Sequence, residues 1–248
     1  MLKKERHNFI IKRINLHNKV LSSDLAEQLK VSEDTVRRDL NELADLGKLL
    51  KVHGGALSRS YHFPFNGVDI YALDAKKEVA RKAAKLIKDG MNILTAGGTT
   101  VIEMVKNIPV NTKAVIFTIS PLIALELADH PNIQVVLIGG QFSKNSHVTV
   151  GSQVTNYLSE IRADLCFLGT NGLSVESGVT DSDLEVVQVK KAMIRASNKL
   201  VVLTISEKLN TEQRMQVCAN NQINTLITEL NPESEELTAY HELGINIL

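Results

Sequence analysis

Residues 22–57 read SSDLAEQLKVSEDTVRRDLNELADLGKLLKVHGGAL, two short helical patterns joined by a tight turn and followed by a glycine-rich wing. Ser22 and Ser23 are residue types that cap helix N-termini, and Leu25, Ala26 and Leu29 behind them make one apolar face. Lys30 and Val31 form the turn. Ser32 then caps a second helix, with Glu33 and Asp34 in its first turn, where the helix dipole favours acids. Val36, Leu40 and Leu43 recur at i, i+4 and i+7 and therefore face inward, which turns Arg38 outward with Thr35 and Arg37 beside it. Gly47 stops the helix. Residues 49–52 are expected to form one wing strand, closed by a turn at His53, Gly54 and Gly55. A further helix is expected over 3–16, with Phe9, Ile10 and Ile14 inward. A helix whose outer face carries arginines, crossed closely by a partner at small Ala26, has the shape and charge to enter a DNA major groove. A bundle with a merely solvated charged face explains the charges. It does not explain the turn spacing, the cap, the adjacent arginines and the wing together.

The run VSEDTVRRDLNEL followed by HGGA resembles the N-terminal domain of the DeoR-type bacterial transcription regulators. The resemblance implies a winged helix-turn-helix that holds a double-stranded DNA operator. Thr35 and Arg38 are the expected base readers, and Arg37, Lys51 and His53 the expected phosphate contacts, with Ser22, Ser32, Glu33 and Gly54 completing the surface. Lys51 departs from the family's usual arginine; lysine keeps the charge but loses the bidentate fork.

A chain of 248 residues with 44% apolar content is too long for that module alone, so two domains are expected: 1–57, a linker over 58–73, and 74–248. The formal net charge of +0 conceals an asymmetry. Residues 1–57 hold 11 lysines and arginines against 8 acids, and the remaining 191 hold 17 against 20. The basic excess thus lies with the DNA-reading pattern, and being modest it favours a homodimer or homotetramer with several reading heads. The two cysteines build neither a metal site nor a disulfide framework, and Cys166 in LCFL reads as a buried core thiol. With no signal peptide and no apolar run long enough to span a bilayer, a cytoplasmic protein without membrane contact is expected. The linker concentrates Tyr61, Phe63, Pro64, Phe65, Gly67 and Tyr71, which are expected to dock on the following domain or across a dimer.

From Asp74, expected to cap a helix over 75–88, apolar runs alternate with helical patterns. Strands are expected at 92–95, 114–118, 133–138, 164–168, 200–205, 225–228 and 246–248, and helices at 101–106, 121–128, 153–161, 184–196 and 234–243. Strands apolar on both faces, alternating with helices, imply an α/β fold with a mostly parallel sheet covered on both sides. Ligands bind such sheets beyond the carboxyl ends of the strands. Polar or glycine-rich turns stand there: Gly97, Gly98, Thr99 and Thr100; Ser120; Gly139 and Gly140; Gly169, Asn171 and Gly172. The strand–GGTT–helix segment is the best anion cradle among them. Lys190 and Lys208 are the basic residues expected to join it, as point charges suited to phosphate.

The order of these turns from Lys76 to Asn210 is similar to the effector domain of the same regulators. That resemblance implies a fold related to ribose-5-phosphate isomerase and glucosamine-6-phosphate deaminase, and a small anionic effector such as a sugar phosphate. Four departures bear on the ligand. Ala96, Ile119, Val186 and Ile205 stand where the family commonly has aspartate, asparagine, glutamate and aspartate. The phosphate cradle is therefore expected to be kept and the sugar-reading part to have diverged. An isomerase or deaminase would need a positioned acid or base in the pocket. Asp181, Asp183 and Glu185 form the one nearby carboxylate cluster, and they read more simply as a solvated helix start. His147 reads as a surface histidine. The expectation is a metabolite-modulated transcription regulator, most naturally a repressor, with no enzymatic activity, cofactor or metal.

Overall fold

The computed structural model describes residues 1–17, 19–58 and 70–248, and these fall into two compact units, Met1–Tyr71 and Ala72–Leu248. The aromatic segment from Tyr61 to Gly67, and its expected docking, lie outside the described residues.

The first unit runs α1 (Lys3–His17), β1 (Lys19–Leu21), α2 (Ser22–Leu29), α3 (Glu33–Asp45), β2 (Leu50–Val52) and β3 (Gly55–Leu57). Its core is built by Ile10, Ile14, Leu25, Leu29, Val36, Leu40, Leu43 and Leu49, and each such side chain contributes about 1.5–3 kcal/mol by leaving water. Phe9 packs against this core only partly buried.

The wing is larger than expected: the strands pair antiparallel in the order β1-β3-β2, so His53 and Gly54 alone make the turn and Gly55 already lies in a strand. Gly55 is required there, because a Cβ would collide with the Val20 carbonyl oxygen. The start of α2 also differs. Its N-cap is Leu21, with no side-chain cap, and Ser22 is the first helical residue. The cause is the sheet: β1 runs directly into α2, and the Ser22 N–H donates to the Gly54 carbonyl at 2.8 Å, so the wing satisfies a donor that a cap would otherwise take. The start of α3 is as expected, with the Ser32 hydroxyl accepting from the Thr35 N–H.

The second unit centres on a seven-stranded parallel sheet. Its strands are β4 (Asn92–Thr95), β5 (Ala114–Thr118), β6 (Ile133–Leu137), β9 (Ala163–Gly169), β12 (Ser197–Leu203), β14 (Thr225–Ile227) and β15 (Asn246–Ile247), in the order β15-β14-β12-β9-β4-β5-β6. Each lies where an apolar run predicted it. Helices α4 (Leu73–Ala84), α5 (Thr99–Lys106), α6 (Pro121–Glu126), α7 (Ser152–Ser159), α8 (Leu184–Arg195) and α9 (Thr238–Glu242) alternate with them. Two apolar clusters, one around Leu94, Cys166 and Val202 and one around Ile93, Phe167 and Val201, show alternate residues of the same strands packing on opposite faces. Cys166 is fully buried, and burial pushes its thiol well up.

Asp74 does not cap α4. The helix starts two residues earlier than expected, at Leu73 behind Ala72, which adopts a left-handed conformation, and Asp74 lies in the first turn. Two small sheets were not predicted: a hairpin of β7 (Gln141–Ser143) with β8 (Val148–Val150), and an antiparallel set in the order β10-β11-β13, formed by β10 (Gly172–Ser174), β11 (Gly178–Asp181) and β13 (Met215–Cys218).

Candidate functional sites

In the first unit α3 buries Val36, Leu40 and Leu43 and leaves Glu33, Arg37 and Arg38 exposed, with Thr35 half-buried beside the Ser32 cap. Lys51, His53 and Gly54 are exposed on the wing, and Ser22 sits half-buried against Gly54. Arg37 leans on Asp34 at 3.4 Å, a solvent-exposed pair that DNA phosphate can replace at little cost.

Sequence reasoning missed what holds this helix from behind. Asp39, on the inner side of α3, is 2% exposed and receives two hydrogen bonds from Arg6 of α1, at 2.7 and 3.0 Å, with the His7 ring nitrogen 3.1 Å away. Burial opposes ionisation of Asp39, but the hydrogen bonds from Arg6 and His7 hold its carboxyl below the usual value. The recognition helix is thus fixed by a bidentate ion pair as well as by its apolar stripe.

In the second unit the chain runs from β4 outward through β5 and β6. It then returns to β9 beside β4 and proceeds outward on the other side. The sheet order reverses between β4 and β9, and the crevice beyond their carboxyl ends is where open α/β sheets hold ligands. The turns of Gly97 to Thr100 and of Gly169 to Asn171 flank it, and the Gly169 Cβ direction meets only the Gly97 carbonyl, at 3.9 Å. Gly98 has φ +114 with open space before it, so glycine is demanded by the backbone and no side chain fills the gap.

Both predicted lysines converge here, and both are buried. Lys190 of α8 donates to Asp181 at 2.7 Å and to the Gly169 carbonyl at 3.1 Å. Lys208, in the 3-10 turn Ser206–Lys208 after β12, donates to the Thr170 carbonyl at 2.6 Å. A third lysine was missed: Lys76 of α4 is only 6% exposed. Burial, with Lys76 and Lys190 nearby, pulls the Lys208 ammonium down to about 7. Burial likewise pulls Lys76 down to about 8, against the raising effect of Glu103 and Glu207. Asp181 corrects the sequence reading. Asp183 is the helix cap, accepting from the N–H groups of Glu185 and Val186, while Asp181 is buried. Burial would raise its carboxyl, but Lys190, Asn171 and the Ser182 N–H hold it below the usual value.

The other predicted residues divide. Thr99 and Thr100 open α5 at the cradle, and Asn171 fixes Asp181 at 2.9 Å. Ser120 is buried at the end of β5, next to Gly97 under Val148 of the β7–β8 hairpin. Gly139 and Gly140 are exposed beyond β6, at the sheet edge away from the reversal. Gly172 is buried in β10, where a Cβ would press on the Thr211 carbonyl oxygen at 2.7 Å, so its need is packing. Ala96, Ile119, Val186 and Ile205 are all buried. A separate cavity of about 380 Å³ between α7 and α8, lined among others by Thr155, Gln188 and Arg195, includes none of the predicted residues. No group of three or more His, Cys, Asp or Glu among the described residues is placed to hold a metal ion, and no helix among them is long and apolar enough to cross a membrane.

A winged helix-turn-helix with an exposed arginine helix, on one chain with an α/β unit that encloses lysines at its sheet reversal, is the make-up of a transcription regulator with a sensor domain. The chain belongs to the DeoR family of transcriptional regulators: the pattern of the DeoR-like helix-turn-helix domain matches residues 6–61, and that of the DeoR C terminal sensor domain matches residues 72–230. It is 32% identical to the HTH-type transcriptional regulator GolR of Listeria innocua, over 98% of this chain and 97% of that protein. It is 29% identical to the HTH-type transcriptional repressor GlcR of Bacillus subtilis, over 100% and 96%. It is 26% identical to the glycerol-3-phosphate regulon repressor of Escherichia coli, over 97% and 98%. These relatives are regulators and repressors, and this chain is a transcriptional regulator. Among solved structures, ribose 5-phosphate isomerase A of Methanocaldococcus jannaschii is similar at 21% identity and TM-score 0.41, over 55% of this chain and 54% of that one. The Pyrococcus horikoshii translation initiation factor eIF-2B is similar at 17% identity and TM-score 0.46, over 64% of each chain. This chain spans about half to two thirds of the length of those two structures, and both are distant likenesses of fold.

Proposed function

We propose that this chain represses metabolic genes and that a phosphorylated or otherwise anionic metabolite, held at the sheet reversal of the sensor domain, modulates its grip on the operator. The observation that carries the reading is the set of three buried lysines, Lys76, Lys190 and Lys208, beside the open turn at Gly98. The names of the glycerol-3-phosphate regulon repressor and of the lactose phosphotransferase system repressor of Staphylococcus epidermidis, 28% identical, point the same way. Thr35 and Arg38 read bases, while Arg37, Lys51 and His53 hold phosphates from the exposed face of residues 1–57. Residues 58–73 link this module to the effector domain of 74–248, and a homodimer or homotetramer in the cytoplasm brings several modules to one operator. The apolar residues at Ala96, Ile119, Val186 and Ile205 make the sugar-reading part of the pocket diverged, so the effector is not an ordinary hexose or pentose phosphate.

The test is fluorescence anisotropy on DNA from upstream of the chain's own gene, with and without a panel of phosphorylated metabolites. Salt-sensitive, sequence-selective binding that one compound changes is expected, with Lys208→Ala keeping the DNA affinity and losing the response. Equal affinity for random DNA would remove the operator reading, and a response unchanged by Lys208→Ala would remove the lysine site.

A further inference from the structure

We propose that the sensor domain takes up protons as it binds its anion, because three lysines are buried at one crevice and the two buried carboxylates beside them, Asp181 and Glu103, are already paired with Lys190 and Lys106, so the anion binds tightly at mildly acidic pH and weakly at mildly basic pH. The inference rests on reading that crevice as the anion site.

The charges can be enumerated element by element. Lys208, on the turn after β12, faces Lys76 of α4, Lys190 of α8 and Asp181 of β11. Lys76 faces Glu103 of α5 and Glu207 of the same turn as Lys208. Asp181 lies 2.7 Å from Lys190 and so is committed to it. Glu103 lies 2.8 Å from Lys106, and Glu207 is exposed. Lys208 itself rests on a neutral carbonyl, that of Thr170. Without an anion, keeping every ammonium charged in this setting is costly, and the affordable response is loss of protons from Lys208 and Lys76. Their values of about 7 and about 8 agree with that geometry. A phosphate or sulfate dianion entering the cradle supplies the missing negative charge and restores both protons. The protein form competent for tight binding is then the protonated one, and apparent affinity falls with its population as pH rises.

The experiment uses the full chain and inorganic sulfate, which stays a dianion across the range, with inorganic phosphate in parallel. Apparent Kd values are taken from thermal stabilisation in buffers free of other divalent anions, at about pH 6.5 and about pH 8.5. For a single lysine near 7 the expected loss of affinity between them is at least about tenfold. Lys208→Arg, whose guanidinium keeps its proton, should bind at both pH values with a flatter profile. Lys208→Met should bind weakly at both. Equal stabilisation by sulfate at the two pH values would leave the anion site standing and overturn the proton linkage. Absence of stabilisation by either anion at any pH would overturn the site itself and the inference with it.

Discussion

Arg6 in the DNA-binding unit is a half-buried cation and Lys208 in the sensor unit a buried one, and their surroundings are opposite. Arg6 meets the Asp39 carboxylate through two hydrogen bonds, so charge is matched by charge. Lys208 meets a backbone carbonyl and two further lysines. In the first unit the cations proposed to meet DNA, Arg37, Arg38 and Lys51, stay on the surface, and Arg6, which holds the frame, is half-buried with its side chain 14% exposed. In the second unit the cations proposed to meet the effector, Lys76, Lys190 and Lys208, are buried. The sizes of the ligands account for this: a DNA duplex must be met on an exposed face, whereas a small anion can be enclosed where water does not screen it. A matched buried pair is therefore read as structure, and an unmatched one as a site awaiting its partner.

The comparison breaks most easily at Arg6. Arg6→Ala leaves the buried Asp39 with His7 as its remaining side-chain partner, which should destabilise the DNA-binding unit by about 3 kcal/mol and lower operator affinity through loss of folded module. Urea denaturation followed by circular dichroism checks it. Replacing both partners, Arg6→Met with Asp39→Leu, should recover much of the loss; if the single and double variants are equally unstable, Arg6 contributes by packing and not by matching charge.

Lys208→Met should act in the opposite direction. Between about pH 7 and about pH 10 the unfolded chain holds a proton on Lys208 that the folded chain has lost, so the wild-type protein should gain stability as pH rises through that window. The variant should lack that slope and be more stable near pH 7, on the order of 2 kcal/mol. Thermal melts at both ends of the window, without added anion, are the measurement. A variant less stable than wild type at pH 7 would mean that Lys208 is already compensated and that the contrast with Arg6 is false.

These two residues also mark where the sequence stops being legible. The parallel sheet could be read in advance because strands such as Asn92–Thr95 and Ala163–Gly169 are buried over most of both faces and contain short apolar runs. Strands of three or four residues such as Gly172–Ser174 and Gly178–Asp181 are too short to show a period, and besides pairing with each other they depend on the distant segment Met215–Cys218 to complete their sheet. In the sequence Asp181 reads as part of a helix start because acids are common there; its burial comes from pairing across β11 and from Lys190, nine residues on. Lys76 lies in LDAKKEVARKAA, where nothing distinguishes it from its exposed neighbour Lys77. The Arg6–Asp39 pair spans 33 residues, and no local pattern announces it. The glycine-rich turns after the strands, and the placing of Lys190 and Lys208 near them, were legible because residue type and place in the alternation were enough.

An exposed working cation gives the third contrast. Arg38→Ala removes neither a buried charge nor an apolar contact, so stability should stay within about 0.5 kcal/mol. Affinity for the specific operator should fall by about 1–3 kcal/mol more than affinity for random DNA. Equal losses on both DNAs would make Arg38 a phosphate contact.

The smallest effect separates two serines on that same face. Ser32 caps α3, its hydroxyl accepting from the Thr35 N–H at 3.3 Å, so Ser32→Ala should cost about 1 kcal/mol of stability. Ser22 has the right type for a cap, yet Leu21 holds that position and the Ser22 N–H is bound by the wing at Gly54. Ser22→Ala should therefore leave stability nearly unchanged while both substitutions lie on the surface proposed to face DNA. The pair distinguishes frame from contact within one module: a stability loss confined to Ser32 assigns it to the frame, as with Arg6, and any shared loss of DNA affinity beyond that assigns both hydroxyls to the operator. If Ser22→Ala proved the more destabilising of the two, the direct passage of β1 into α2 would not be what starts that helix.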